Sequence, residues 1–144
     1  MTAVDFSAFA VQEMKRLADP AAKIEALQHD LFELPHSMDG TFDYVLQYTC
    51  FCAIDPKRRT EYAELIARLL KAGGIYIDLA FPLDGRAGGP PFATSEAEIT
   101  ALFEGRGFEL LSAERPEDSV SPRRAAEALL IFRKAVGKNP EGSR

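Results

Sequence analysis

The sequence predicts an α/β protein with a mostly parallel sheet that ends in a C-terminal antiparallel hairpin. Strand-like and helix-like segments alternate along the 144 residues, which is the pattern of strands joined by crossover helices. Residues 75–81 form a nearly continuous apolar run, as expected for a strand buried on both faces of a parallel sheet. A third observation is Asp5, an acidic residue directly after a short strand, where such folds commonly hold a polar ligand.

The first third of the chain predicts a strand, a helix and a second strand. The first strand is a short stub that ends at Val4. Ser7 is a good helix N-cap, and apolar residues follow it at helical spacing as far as Leu17. Pro20 ends this segment, because the residue before a proline avoids the helical conformation. Residues 24–29 alternate between apolar and polar side chains and therefore predict a strand.

The middle third predicts a strand, a helix and the long buried strand. Residues 42–48 read as a strand that follows a turn. Asp55-Pro56 combines a capping residue with proline at the first helical position. The apolar stripe that follows predicts a helix, and Gly73-Gly74 is expected to end it.

The last third predicts a Gly/Pro-rich loop, a helix and two strands. The loop covers residues 82–94, and the spacing from Ser95 to Glu98 is that of a capping box at a helix start. Strands that begin at Phe108 and Ala126 complete the predicted hairpin.

Length and charge limit the classes of function. The chain predicts one domain over residues 1–136 and a flexible tail over residues 137–144. The net charge of −5 comes from dispersed acids, which argues against nucleic-acid binding. No segment has the length of a membrane span and no signal peptide is visible, so a cytoplasmic protein is expected. Cys50 and Cys52 lack further cysteine partners, and we expect no metal site.

Asp5 stands unusually early in the chain. In nucleotide-binding α/β folds an acid at this position holds the cofactor ribose, and it follows a first strand and a glycine-rich turn by about 20 residues. Only four residues precede Asp5 here. The sequence therefore predicts a cofactor-binding fold that begins at its second strand and lacks the first strand and the Gly-rich turn.

Three segments carry a resemblance to a known family: residues 42–56, residues 69–74, and the pair of short runs 81–84 and 89–92. Together they resemble the thiopurine S-methyltransferase family of class I S-adenosylmethionine (SAM)-dependent methyltransferases. The nearest branch resembles the thiol, thiocyanate and halide methyltransferases. The resemblance covers roughly residues 2–134. It implies a Rossmann-like fold, SAM as cofactor and a small-molecule methyl acceptor.

The resemblance implies two sets of residues for the adenosine part of SAM. Asp5 would accept hydrogen bonds from the ribose hydroxyls, with Phe6 on the adenine face. Asp30 would accept from the adenine amine, and the Leu31 amide would address a ring nitrogen. The alternatives are that Asp5 only caps a helix, that Phe6 is a core residue and that Asp30 is a plain strand-end residue.

The resemblance also implies a sulfonium site and an acceptor pocket. Gln47, where the family often has Asp, and Tyr48 would face the sulfonium, for which an electron-rich ring is suited. An apolar acceptor pocket would be walled by Phe51, Pro90, Pro91 and Phe92. A buried strand tyrosine and an ordinary loop are the alternatives. No residue reads as a dedicated general base, and transfer to a soft anion depends mainly on in-line positioning.

The expected lack of a first strand leaves three outcomes for the sheet. Its two neighbouring strands pair directly, a second chain fills the gap as a homodimer or strand-swapped partner, or the chain is truncated and poorly stable. Two functions follow. The first is a SAM-dependent methyltransferase that acts on a thiol, thiocyanate, halide or thiopurine-like nucleophile. The second is a non-catalytic remnant or complementing subunit of such an enzyme. An unrelated flavodoxin-like domain is a third reading.

Overall fold

A computed structural model describes residues 1–137 of the chain. The chain divides into two compact units, Met1–Ser37 and a larger one from Met38 onward. Apart from Gly137, the predicted flexible tail lies outside the described residues. Among the described residues, no helix has the length and apolar character needed to cross a membrane.

The first unit is a parallel strand pair with one helix. Strand β1 is Thr2–Asp5, helix α1 is Ala8–Leu17 and strand β2 is Glu25–Gln28. The two strands run parallel, with Asp5 opposite Gln28. The predicted cap is present, because the Ser7 hydroxyl accepts a hydrogen bond from the Ala10 amide at 3.3 Å.

The second unit contains a four-stranded sheet and two helices. In chain order its elements are β3 Phe42–Tyr48, α2 Arg59–Leu69, β4 Leu70–Ala80, α3 Glu96–Glu104, β5 Phe108–Glu114 and β6 Ala128–Lys134. The strand order is β3-β4-β6-β5. Strands β3 and β4 are parallel, whereas β6 is antiparallel to both of its neighbours. The predicted α/β class, with parallel strands and a C-terminal antiparallel hairpin, is confirmed; in the four-stranded sheet the antiparallel pairs are those of β6.

The strand ladders form two separate sheets. Direct pairing of the strand that ends at Asp5 with the strand that ends at Tyr48, one of the three outcomes considered for the sheet, is absent from the strand ladders of residues 1–137. Within the described residues, β3 is hydrogen-bonded to a strand on one side only, that of β4.

Aromatic side chains fill the core of the larger unit. Tyr76 of β4, Phe103 of α3 and Phe132 of β6 have no solvent exposure. The Tyr76 and Phe103 rings stack with centroids 4.5 Å apart, and Phe108 meets Phe103 edge-on at 5.3 Å. These contacts pack α3 against β4 and β5 of the sheet.

The expectation that Gly73-Gly74 ends a helix is wrong. Helix α2 ends at Leu69, and both glycines lie within β4. The pairing with β3 shifts register here, from Phe42 opposite Leu70 to Tyr44 opposite Ile75. A Cβ atom at Gly74 would lie 2.9 Å from the Lys71 carbonyl oxygen. The glycines thus permit an irregular start of the strand. The same Gly-Gly pattern is also typical of helix ends, which is why the sequence alone did not distinguish the two.

Candidate functional site

The sheet topology gathers three chain segments at one edge of the larger unit. Strands β3 and β4 are parallel, so both end at this edge, and β6 begins there because Ala128 lies opposite Ala80. Tyr48, Phe81 and Glu127 stand at these three positions. Ligands of α/β sheets bind at the carboxyl ends of parallel strands, which makes this edge the candidate site.

In the first unit, two carboxylates stand at the carboxyl ends of parallel strands. Asp5 Oδ1 accepts from the Ser7 amide at 2.8 Å, and Asp30 Oδ1 accepts from the Phe32 amide at 2.9 Å. The second oxygen of each carboxylate has no hydrogen-bond partner within residues 1–137. Each acid therefore caps its own turn and keeps one oxygen for a ligand, so the capping and binding interpretations are compatible.

Phe6 and Leu31 directly follow β1 and Asp30. The Phe6 side chain is 80% exposed, which argues against the alternative of core packing. Leu31 begins a single 3-10 turn, Leu31–Glu33, whose first residue is half-buried. An exposed aromatic ring beside a strand-end carboxylate is a surface on which a flat base can stack.

Gln47 is buried and holds the turn that follows β3. Its side-chain amide donates to Asp78, and its carbonyl oxygen accepts from the amides of Cys50 and Phe51, both at 3.1 Å. The turn needs this support because Thr49, a β-branched residue, has a left-handed φ of 59°. The side chain is 5% exposed. The structure thus gives Gln47 three internal partners, and direct contact with a cofactor stays a prediction.

Asp78 is the buried end of this network. It lies opposite Gln47 in the parallel register and also accepts from the Tyr76 hydroxyl at 3.2 Å. Tyr76 in turn meets the Tyr62 hydroxyl at 3.3 Å. Burial raises the pKa of Asp78 from 3.8 to about 6, against the opposing effect of the hydrogen bonds from Gln47 and Tyr76. An acid inside an apolar strand is explained by these partners.

Tyr48 is half-exposed and carries two polar contacts. Its hydroxyl donates to Glu127 Oε1 at 3.1 Å and accepts from Arg123 Nη1 at 2.6 Å. The Arg123 guanidinium also lies 5.2 Å from the Tyr48 ring centroid and 4.7 Å from that of Phe81. Sequence reasoning missed Arg123 and Glu127. A carboxylate next to the apolar run of the final strand was the signal that could have identified Glu127.

A backbone hydrogen bond links the two segments that carry the predicted acceptor-pocket residues. The Phe92 amide donates to the Cys52 carbonyl at 2.7 Å, which brings the Pro90-Pro91-Phe92 run to the turn after β3. Phe51 is 1% exposed and its ring packs edge-on against Tyr62 at 5.5 Å. Pro90 is exposed, whereas Pro91 and Phe92 are half-buried.

Arg59 is a third residue that the sequence analysis did not assign to the site. It is 5% exposed, stacks 4.8 Å from the Phe51 ring centroid and pairs with Glu98 at 2.6 Å. It also donates to the Ala93 carbonyl at 3.0 Å. Glu98 therefore has two contacts: its side chain pairs with Arg59, and its backbone amide donates to the Ser95 hydroxyl at 3.1 Å at the start of α3.

A depression of about 220 Å³ lies at the opposite, amino-terminal edge of β3 and β4, lined by Asp43, Tyr44 and residues 71–75. It contains none of the predicted site residues. Polar and aromatic side chains converge at the carboxyl edge, and such convergence is a better indication of a binding site than the volume of this depression. The candidate site therefore stays at the carboxyl edge.

Several known proteins are similar in sequence. "Probable thiol methyltransferase 2" of Arabidopsis thaliana is 40% identical over 94 residues, which are 65% of this chain and 42% of that protein. "Thiocyanate methyltransferase 1" of Brassica oleracea is 32% identical over 93 residues, which are 65% of this chain and 41% of that protein. The chain thus spans less than half the length of these curated relatives.

Solved structures share the fold. A SAM-dependent methyltransferase from Methanosarcina mazei has a TM-score of 0.77 at 17% identity, over 94% of this chain and 82% of that chain. A Burkholderia thailandensis 1,6-didemethyltoxoflavin-N1-methyltransferase, solved with bound 1,6-didemethyltoxoflavin and S-adenosylhomocysteine, has a TM-score of 0.69 at 20% identity, over 93% of this chain and 60% of that chain. The fold is that of the class I SAM-dependent methyltransferases.

The sequence model of one family, "Thiopurine S-methyltransferase (TPMT)", matches residues 1–138. This match includes both compact units and every predicted site residue. The chain therefore belongs to the thiopurine S-methyltransferase family.

Proposed function

We propose that the chain is a SAM-dependent methyltransferase that acts on a small soft nucleophile, namely a thiol, thiocyanate, a halide or a thiopurine-like compound. The observation that carries the proposal is the family match over residues 1–138, together with relatives named for thiol and thiocyanate methylation. When bound, SAM supplies an electrophilic methyl group on a sulfonium.

The side chains of the first unit have the chemistry to hold adenosine. Asp5 and Asp30 each keep one carboxylate oxygen for a hydroxyl or amine donor, and such charge-assisted bonds are stronger than neutral ones. Phe6 offers an exposed ring, and the Leu31 amide stands at the start of its turn. These features fit the adenosine of SAM, and we assign the four residues to it.

The larger unit supplies the proposed reaction site. Tyr48 would present its ring and hydroxyl to the reacting atoms, while Gln47 would act by holding the turn. The acceptor pocket would be walled by Phe51, Pro90, Pro91 and Phe92. Apolar walls exclude water and thereby strengthen a soft nucleophile. A cytoplasmic location, with neither nucleic acid nor membrane as partner, is part of the proposal.

Calorimetric titration with S-adenosylhomocysteine tests cofactor binding. We expect saturable binding, and we expect Asp5→Asn to weaken it by about tenfold or more, because a hydrogen bond to a charged group contributes roughly 1.5–3 kcal/mol. The matched control is Asp19→Asn, in the same unit, because Asp19 also accepts from a local backbone amide. If the folded protein shows no heat of binding with S-adenosylhomocysteine at millimolar concentration, the proposal is contradicted.

Acceptor assays then identify the reaction. Iodide, thiocyanate and 2-mercaptoethanol are offered with SAM, and the methylated products are measured by gas chromatography. We expect product from at least one of them. A protein that binds S-adenosylhomocysteine and methylates none of these acceptors would contradict the assignment to small soft nucleophiles.

The second candidate is a non-catalytic remnant or a complementing subunit. It is favoured by the edge strand β3, where Tyr44 and Leu46 are 66% and 67% exposed. Such an edge is a template for a strand of another chain, as in a homodimer or strand-swapped pair. Light scattering on the eluted protein separates the candidates, since a monomer that binds cofactor contradicts a complementing role.

A further inference from the structure

Glu127 is a buried carboxylate at the edge where the proposed reaction site lies. It is 1% exposed, and its Oε1 atom accepts the Tyr48 hydroxyl proton at 3.1 Å. Arg123 Nη1 lies 3.8 Å from the same oxygen, and the Arg115 guanidinium donates to the Glu127 main-chain oxygen at 3.1 Å. The Cys52 thiol also faces Arg123, and burial is the main cause that raises the pKa of this thiol.

The Tyr48 hydroxyl has one place left for a ligand. A hydroxyl has one proton to donate and two lone pairs to accept with. The proton goes to Glu127, and one lone pair accepts from Arg123 at 2.6 Å. Tyr48 is 45% exposed as a residue, and we take its second lone pair as the place where a small molecule binds.

We propose that Tyr48 and Glu127 remove the proton of a thiol acceptor. This rests on the proposed methyltransferase function. The thiol S–H donates to Tyr48 Oη while the Tyr48 proton passes to Glu127 Oε1, which becomes a carboxylic acid. The sulfur then forms its bond to the methyl group as the bond from that methyl to the sulfonium sulfur breaks. Neutral S-adenosylhomocysteine leaves, and Glu127 returns its proton to water.

Arg123 acts as a positioning residue in this arrangement. Its contact at 2.6 Å fixes the direction of the Tyr48 hydroxyl, and its positive charge faces any negative charge that develops on that oxygen. The relay is needed only by acceptors that carry a proton. Iodide and thiocyanate anions have none, so they bypass Tyr48 and Glu127 as proton acceptors.

The test compares 2-mercaptoethanol with iodide in the same protein. For Glu127→Gln at pH 7 we expect kcat/KM for the thiol to fall by about 100-fold, the usual lower range for a lost general base. We expect the iodide value to stay close to that of the wild type. The thiol deficit should narrow as pH rises towards the pKa of the free thiol, because the thiolate then forms without help. The wild-type thiol reaction should also show a solvent deuterium isotope effect that the iodide reaction lacks.

Tyr48→Phe is the second variant, because it breaks the relay and keeps the Glu127 and Arg123 pair. Loss of the hydroxyl contact with the reacting atoms would lower both reactions alike, so we expect the thiol reaction to fall further than the iodide reaction by about tenfold or more. Glu109→Gln, an exposed strand residue paired with Arg133, is the matched control. Calorimetric binding of S-adenosylhomocysteine reports folding of each variant independently of turnover.

Equal losses with thiol and iodide in Tyr48→Phe, or no loss with the thiol, would overturn the relay. Wild-type protein that methylates neither acceptor would instead overturn the proposed function, and the relay with it.

Discussion

At the scale of single residues, the pair of Gln47 and Asp78 explains why position 47 carries an amide rather than a carboxylate. The two residues lie directly opposite each other in the parallel register of β3 and β4. A second carboxylate at position 47 would therefore face the buried carboxylate of Asp78, and like charges at such a distance are costly. Gln47 instead donates to Asp78 and accepts from two amides, which satisfies every buried polar atom of its side chain.

We predict that Asp78→Asn gains stability relative to the wild type as pH rises. The folded-state pKa of Asp78 is about 6, above its ordinary value of 3.8, so the folded state binds the proton more tightly. The stabilising contribution is complete below pH 4 and is lost as pH rises through 6. Urea unfolding should show the free-energy difference, variant minus wild type, growing by up to about 3 kcal/mol between pH 4 and pH 7.

Asp84→Asn is the matched control with the opposite sign. Hydrogen bonding from Arg86 lowers the pKa of Asp84 to about 2, so its contribution is present above pH 4 and is lost only as pH falls further. Its difference from wild type should therefore stay level between pH 4.5 and pH 7. A level difference for Asp78→Asn as well would contradict the raised pKa.

At the scale of elements, Arg59 joins three segments that meet at the proposed acceptor site. It stands at the first residue of α2, pairs with Glu98 of α3 and donates to the loop carbonyl of Ala93. Its guanidinium also covers the Phe51 ring. Only a planar group with several donors can make these contacts at once.

We predict that Arg59→Lys destabilises the protein by about 1–2 kcal/mol, because an ammonium keeps the charge and loses the stacking and the second set of donors. If the proposed acceptor pocket is correct, KM for the acceptor should rise while the affinity for S-adenosylhomocysteine holds. Chemical unfolding and steady-state kinetics measure the two effects.

Arg58→Lys, one residue earlier, is the control for that substitution. Arg58 pairs with Glu61 at 2.7 Å on the surface, where such pairs contribute about 1 kcal/mol or less. Equal destabilisation by both substitutions would show that the contacts of Arg59 with Glu98, Ala93 and Phe51 do not stabilise the protein more than a surface ion pair does.

At the scale of the whole molecule, the sequence predicted the elements better than the arrangement of their side chains. Hydrophobic periodicity located the strands and helices, because burial of one face imposes that period. The start of β4 was predicted too late in the chain. A Gly-Gly pair is compatible with a helix end and with an irregular strand, and here both glycines lie in the strand. Asp5 and Asp30 were predicted as ligands from their positions and from the family resemblance. Arg59 and Glu127 have partners 30 or more residues away along the chain, so the carboxylate before the last apolar run was the one local sign of Glu127, and it does not reveal those partners.

The edge strands of the larger sheet differ in how they resist pairing with another chain. Strand β5 carries a register irregularity between Leu110 and Ser112, and Glu109 and Glu114 lie on it. Irregular, charged edges discourage pairing. Strand β3 is continuous from Tyr44 to Tyr48, and its exposed side chains are largely apolar. The β3 edge is therefore the one on which a second copy would add.

We predict concentration-dependent association of the wild-type chain through β3, abolished by Leu46→Lys. A lysine on an edge strand opposes the approach of a second strand, because its charge would have to lose water. Light scattering should give a mass above the 15.9 kDa of one chain for the wild type and near that value for the variant. Leu111→Lys on β5, also at a partly exposed leucine, is the matched control and should leave the association unchanged. A wild-type mass of one chain at every concentration, up to hundreds of micromolar, would show that β3 is not an association edge.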